Sequence, residues 1–177
     1  MGEHLDRVPV EVQDHIRQIT KTSGLPDTDE SVELIAQGWL EKKASFEKQV
    51  ADMGMQEVES LEKGESRGCL AMTYSGSLIN IGPLREGEGR TVEYASIGLR
   101  QDVPDSAERD GSELSSDLQV GEPATFSVGP IKSSSPVFKI AAANEDLSAD
   151  EQQAQISKAT QILTKEFVEI NRELDAQ

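Results

Sequence analysis

Two stretches of the sequence share the same order of residue types, and each ends on a basic side chain. Residues 79–85 read Ile-Asn-Ile-Gly-Pro-Leu-Arg, and residues 126–132 read Phe-Ser-Val-Gly-Pro-Ile-Lys. Because Gly-Pro stops a strand, each basic residue falls on the following connection, where a cation can bind a carboxylate or another anion. We therefore consider a ligand-binding site built from four basic side chains: Arg85, Lys132, Arg90 and Arg100.

A simpler interpretation is that two hairpins use the same Gly-Pro turn, since glycine and proline are common turn residues. Pairing with a neighbouring acid such as Glu86 would then account for the basic side chains equally well. The two interpretations differ in geometry, because a shared site requires both Gly-Pro connections to lie on one edge of the sheet. Connections at opposite ends of the sheet would exclude it.

Residues 64–68 match the G-x-S-x-G pattern of a nucleophile elbow, in which a serine stands on a sharp turn between a strand and a helix. Here a charged segment precedes Ser66 and a predicted strand follows it. The two histidines, His4 and His15, come before the serine instead of after it, against the order of that fold. A flexible link between helix and sheet is the better interpretation, and we predict no catalytic residues.

The acidic stretch 106–117 partly matches a calcium-binding loop, with Asp110-Gly111 at positions five and six and Asp117 at position twelve. Ser106 replaces the first aspartate, and no flanking helices are predicted, so a solvated acidic loop is the better interpretation. The single cysteine, Cys69, is interpreted as a buried structural thiol. We predict no metal and no cofactor.

The charge balance narrows the classes of partner. Lysine and arginine number 17 against 33 aspartate and glutamate residues, so the formal net charge is -16. Such a chain repels nucleic-acid phosphates and anionic lipids, so we predict neither kind of partner. Residues 1–7 lack the apolar segment of a secretory signal, and no apolar run is long enough to span a bilayer. We expect a soluble, cytoplasmic protein.

Apolar residues recur at helical spacing in two segments before residue 54. Residues 8–22 form the first, and Pro9 suits its first turn because the missing N–H costs nothing there. The second runs from about Ser31 to Met53, and its N-cap is one of three residues with oxygen-bearing side chains: Asp27, Thr28 or Asp29. Lys42 and Lys43 interrupt its apolar face, where their aliphatic stems can be buried.

Beyond Gly68 the pattern changes to short strands between turn residues. The predicted strands are residues 69–74, 77–81, 90–100, 125–128 and 137–142. Residues 102–122 are predicted to form an acidic surface loop. Because hairpin connections dominate, we predict an α+β fold with an antiparallel sheet of about five strands, with helices on one face and solvent on the other.

The C-terminal helix has the clearest signal. Ser148 and Glu151 form a capping box, and no glycine or proline follows as far as Gln177. Apolar residues then alternate in steps of three and four, and the stripe includes Ile156, Leu163, Phe167, Ile170 and Leu174. This stripe can pack on the sheet as core, or it can bind a partner, including a second copy of the chain in a homodimer.

We therefore predict a single domain over residues 1–177, with a helical part over 1–64, the sheet over 68–143 and the long helix over 148–177 packed on it. The leading functional hypothesis is a non-enzymatic protein-interaction or regulatory module, whose charge favours a partner with a basic surface. The alternative is a small-molecule or anion-binding domain, with or without enzymatic activity, that uses the two Gly-Pro connections.

Overall fold

The computed structural model describes residues 2–22, 26–61, 66–87, 92–96, 108–109, 118–128 and 131–175. Within these residues the fold is α+β, as predicted. A short 3-10 turn, Leu5–Arg7, precedes the helices α1 (Val10–Thr22), α2 (Asp29–Asp52) and α3 (Ala149–Asp175). The strands are β1 (Gln56–Val58), β2 (Cys69–Thr73), β3 (Leu78–Ile81), β4 (Val92–Ser96), β5 (Glu108–Arg109), β6 (Pro123–Val128) and β7 (Ile131–Ala142). Five of these described strands have four residues or more, in agreement with the predicted sheet.

The described strands are ordered β1-β7-β2-β3-β4-β5, and each pair of neighbours is antiparallel. β6 lies off this path and pairs with the first half of β7. The register aligns Cys69 of β2 with Ile81 of β3 on one side and with Ala142 of β7 on the other. Because β5 also contacts β6, the sheet curls over the face that points away from the helices.

β7 begins six residues earlier than the predicted start at Val137. Serine and proline dominate the residues before Val137, and these types are typical of turns. In the structure, β6 and β7 pair from Pro123 opposite Pro136 to Val128 opposite Ile131. Cross-strand pairing therefore overrides the local preference of this segment.

Two other predicted segments extend beyond the described residues. The predicted strand over residues 90–100 is observed as β4, and its remaining residues lie outside the described part of the chain. Of the predicted acidic loop, the structure describes β5 and residues 118–122. Leu61 N donates to Leu118 O over 2.8 Å, so the end of that loop is hydrogen-bonded to the segment that follows β1.

The helix ends follow the predicted capping chemistry. Thr28 caps α2, and its Oγ1 accepts from Ser31 N over 3.2 Å. Gly54, with φ of 72°, follows the end of α2 and adopts the left-handed conformation that glycine tolerates best. Ser148 and Glu151 form the predicted capping box, with each side chain accepting from the other residue's amide over 3.2 and 3.1 Å.

Both faces of the sheet are buried, so the prediction of a solvent-exposed second face is wrong. On the helix side, Leu70, Met72 and Leu78 pack with buried residues of the helices. Apolar side chains are also buried on the opposite face: Cys69, Ala71, Ile79, Ile81, Val137 and Ile140. The physical reason is the curl of the sheet, together with Leu61 and Leu118, which pack against this second face. A strand that is buried on both sides has a nearly continuous apolar sequence, and β2 is an example.

Asn80 is a buried polar residue of β3 that contacts α3. Its Nδ2 donates to Thr160 Oγ1 over 3.3 Å, and its Oδ1 accepts from Gln153 Nε2 over 3.4 Å. Thr160 in turn donates to the carbonyl of Ile156 over 2.7 Å. Because an unsatisfied buried amide costs roughly 1–3 kcal/mol, these hydrogen bonds favour one position of α3 on the sheet.

Candidate functional site

A cleft of about 440 Å³ lies between the 3-10 turn, α1 and the first half of α2. Three apolar side chains line it: Leu5, Val32 and Leu34. Four charged side chains also line it: Arg17 from α1, and Asp29, Glu30 and Glu33 from the start of α2. We call this feature the N-terminal cleft. It combines apolar lining with a few charged groups, which is the usual composition of a binding site.

Glu33 holds the N-terminal segment against α2 and so forms the wall of the N-terminal cleft. Its Oε1 accepts from His4 N and its Oε2 accepts from Leu5 N, both over 2.9 Å. A Cβ at Gly2 would meet both the Glu33 carboxylate and Leu5, so the close approach of this segment depends on glycine. Both carboxylate oxygens of Glu33 are thereby occupied, and its role is to position the wall of the cleft.

Asp29 and Glu30 are the acidic groups of the N-terminal cleft that stay exposed. Within the described part of the chain neither side chain forms an ion pair, and Arg17 forms none either. The cap at Thr28 places both acids in the first turn of α2, where the helix dipole favours negative charge. The sequence showed these acids only as a helix start, because the turn and the helix that complete the cleft are distant along the chain.

Acidic character continues along α2 beyond the cleft. Burial raises the pKa of the Glu41 carboxyl, and the nearby Glu173 raises it further, while His4 acts in the opposite direction. Beyond the cleft, α2 therefore carries the Glu41 carboxylate close to the negative charge of Glu173.

Arg85 follows β3, as predicted, but its guanidinium is already paired. Its Nη2 lies 2.9 Å from Asp150 Oδ1 in the first turn of α3. The sequence suggested Glu86 as a local partner; the observed partner is 65 residues away. Arg85 therefore connects the end of β3 to the start of α3 and is not positioned as a free anion-binding group.

The described residues that flank the two Gly-Pro connections lie at opposite ends of the sheet. The first follows Ile81, which aligns through Cys69 with Ala142 at the end of β7. Lys132 lies near the start of β7, opposite Ser127. Ten residues of strand separate Lys132 from Ala142, a span of about 33 Å. The structure thus does not bring Arg85 and Lys132 together, and the shared-site interpretation lacks the geometry that it requires. The other two predicted contacts, Arg90 and Arg100, lie outside the described residues.

The apolar stripe of α3 is buried within the chain. Its five predicted partner-binding residues are all at most 9% exposed: Ile156, Leu163, Phe167, Ile170 and Leu174. They pack against α2 and the helix side of the sheet. In this fold the stripe is core, and it does not offer an exposed seam to a second copy.

Comparison with protein-family models, with curated proteins and with solved structures finds no match to this chain. Among the described residues, no group of three histidine, cysteine, aspartate or glutamate side chains is arranged to hold a metal ion. None of the described helices combines the length and the apolar character needed to cross a membrane.

Proposed function

We propose that the protein is a non-enzymatic interaction module that binds a basic segment of a partner protein in the N-terminal cleft. The observation that carries this proposal is the pair of exposed carboxylates, Asp29 and Glu30, which lie beside the apolar lining of the cleft and form no ion pair with any described residue. The net charge of -16 adds long-range attraction for a basic partner. Such attraction raises the association rate and acts over about 8 Å at physiological ionic strength.

The chemistry of the N-terminal cleft matches a lysine or arginine side chain. The aliphatic stem of such a residue would pack on Leu5 and Val32, and its cationic end would reach Asp29 or Glu30. Arg17, which also lines the cleft, would donate to a main-chain carbonyl of the same segment. The site would therefore recognise a peptide segment and not merely a cation.

Neutralising both acids is expected to weaken binding of a basic peptide about tenfold, because the two charge-assisted contacts together contribute about 1.4 kcal/mol at an exposed site. The test measures fluorescence anisotropy of a labelled octapeptide of lysine and arginine with the full chain and with the Asp29→Asn, Glu30→Gln double variant. Both changes retain side-chain size, so the fold is expected to persist.

The matched control is the Glu145→Gln, Asp146→Asn double variant, which removes two exposed acids from the turn before α3. Its affinity for the peptide is expected to change less than twofold. An equal loss of affinity in both double variants would show that only net charge matters, and would overturn the cleft as the binding site.

A small-molecule-binding domain is the second candidate, and the observation that favours it is the size of the N-terminal cleft. A volume of about 440 Å³ lies within the range of pockets for small ligands. Arg17 and Asp29 supply opposite charges around one apolar lining, which suits a zwitterion such as an amino acid. Displacement of the labelled peptide by free arginine at a concentration near the Kd of the peptide would favour this candidate over the first.

A further inference from the structure

Lys42 places an amine inside the contact between α2 and α3, which we call the α2–α3 seam. The residue is 0% exposed, and among the described residues its Nζ has no hydrogen-bond partner. The Phe167 ring of α3 is the group in contact with it, with Nζ 5.5 Å from the ring centroid. A lysine is almost never fully buried without a paired anion, so this amine is unusual.

Two charged groups of α2, Lys43 and Glu47, are engaged with each other and with charged groups of the adjacent sheet. Glu47 lies 2.9 Å from Lys43 Nζ on α2 and 2.9 Å from Lys139 Nζ on β7. Lys139 also pairs with Glu57 of β1 over 2.9 Å. Glu47 and Glu57 therefore form ion pairs with cations other than Lys42.

The charged groups of α3 and of the N-terminal segment do not neutralise Lys42 either. Glu166 accepts from Gln49 Nε2 over 3.2 Å, and Glu173 acts on Glu41, as does His4. Burial is the cause that lowers the pKa of the Lys42 amine to about 7, from an ordinary value of 10.5. The folded chain thus holds Lys42 close to the balance between its neutral and charged forms at neutral pH.

The α2–α3 seam contains further polar atoms that are buried without a partner among the described residues. Thr164 Oγ1 and Asn171 Oδ1 lie within about one turn on either side of Phe167 on α3. Trp39 Nε1 lies about one turn before Lys42 on α2. Each of these atoms would gain a hydrogen bond if water entered the seam.

We propose that the α2–α3 seam is a proton-sensitive joint: when Lys42 Nζ takes up a proton, water enters beside Phe167 and α3 loosens its packing on α2. An ammonium ion that has no hydrogen-bond partner among the described residues, with an aromatic ring beside it, is unfavourable to keep out of water. Hydration of the charged amine relieves that cost, and it also satisfies Thr164 and Asn171. Above neutral pH the amine is neutral, and the helices stay packed.

The sign of the pH dependence follows from linkage. The unfolded chain keeps the Lys42 proton up to about pH 10.5, whereas the folded chain releases it near 7. The free energy of unfolding therefore rises as the pH increases from about 7 to 10.5. Below about pH 7 the folded chain carries the buried charge, and its full destabilising effect is present. His15, whose pKa is lowered by burial, contributes with the same sign at lower pH, so Lys42 must be isolated by substitution.

Trp39, the single tryptophan, makes the joint observable because water in the seam would shift its emission to longer wavelength. The test follows this emission and the far-ultraviolet circular dichroism of the full chain from pH 9 to pH 5.5. We expect a red shift with a midpoint near pH 7 and retained helical signal. The population of chains in which α3 has loosened should increase about tenfold for each unit by which the pH falls, until the transition saturates.

Two variants and one direct measurement decide the result. Lys42→Met should remove the transition, whereas Lys43→Met, which deletes a neighbouring lysine outside the seam, should retain it. The ¹⁵Nζ resonance of Lys42 in the unmodified chain should titrate near pH 7 and requires no variant. The proposal is overturned if Lys42→Met shows the same transition as the unmodified chain, or if the Lys42 resonance titrates above pH 9.5.

Discussion

A chain that ends at Asn144, and so lacks α3, is expected to be unfolded at 25 °C. The missing helix carries at least five buried apolar side chains, and truncating even one large core side chain typically costs 2–5 kcal/mol. Five such losses sum to about 10–25 kcal/mol, which equals or exceeds the roughly 5–15 kcal/mol that stabilises an ordinary domain. Asn80 would also lose its partner Thr160, which leaves a buried amide unsatisfied.

Circular dichroism with urea titration measures the folded fraction of the truncated chain, and sedimentation equilibrium gives its mass. The full chain at the same concentration is the control, with a cooperative urea transition expected. A truncated chain that stays folded and monomeric, together with a dimeric full chain, would contradict the account. That pair of results would make α3 an association surface instead of core.

Phe167→Ala is expected to lower the free energy of unfolding by about 3–5 kcal/mol. Phe167 is 0% exposed and belongs to the core on the helix side of the sheet, where its ring also covers Lys42 Nζ. Urea unfolding at pH 8.5 is the appropriate measurement, because Lys42 is then mostly neutral and the cavity effect is seen alone.

The control for this substitution is Leu84→Ala, which truncates an apolar side chain that is 45% exposed after β3. Its effect is expected to stay within about 0.5 kcal/mol. A loss of less than about 1 kcal/mol in Phe167→Ala would contradict the packing of α3 described above.

Features that depend on neighbouring residues in the chain could be predicted from the sequence. The capping box of Ser148 and Glu151 closes within four residues, and the cap at Thr28 is equally local. Alternating apolar steps marked α3, because a helix repeats its faces every three to four residues. The same rules predicted strands over residues 69–74 and 77–81, and the structure joins β2 and β3 as a hairpin through a turn that contains Gly76, with φ of 83°.

Features that depend on distant partners could not be predicted in this way. The residue types in the first half of β7 are typical of a turn, but this segment forms a strand because it pairs with β6. Burial of the second face depends on the curl of the sheet and on residues such as Leu118 that read as part of a polar stretch. Lys42 was expected to bury its stem, but the structure buries the amine as well, because α3 covers it.

The candidate site shows the same limit. Glu33 forms the wall of the N-terminal cleft by accepting from amides 28 and 29 residues away, and nothing local in the sequence indicates this. The sequence indicated Arg85 as a candidate ligand-binding residue, yet its observed partner is Asp150 on α3. Side-chain type and spacing therefore identified a basic group, whereas only the fold determined whether it was free to bind a ligand.

The most direct test of the proposed function maps the peptide on the protein. Amide chemical shifts of the isotopically labelled full chain would be recorded while the lysine- and arginine-containing octapeptide is added. We expect the largest changes around the N-terminal cleft, at Leu5, Arg17, Glu30 and Leu34. Changes centred on the acidic turn at Glu145 and Asp146, with the cleft unaffected, would contradict it.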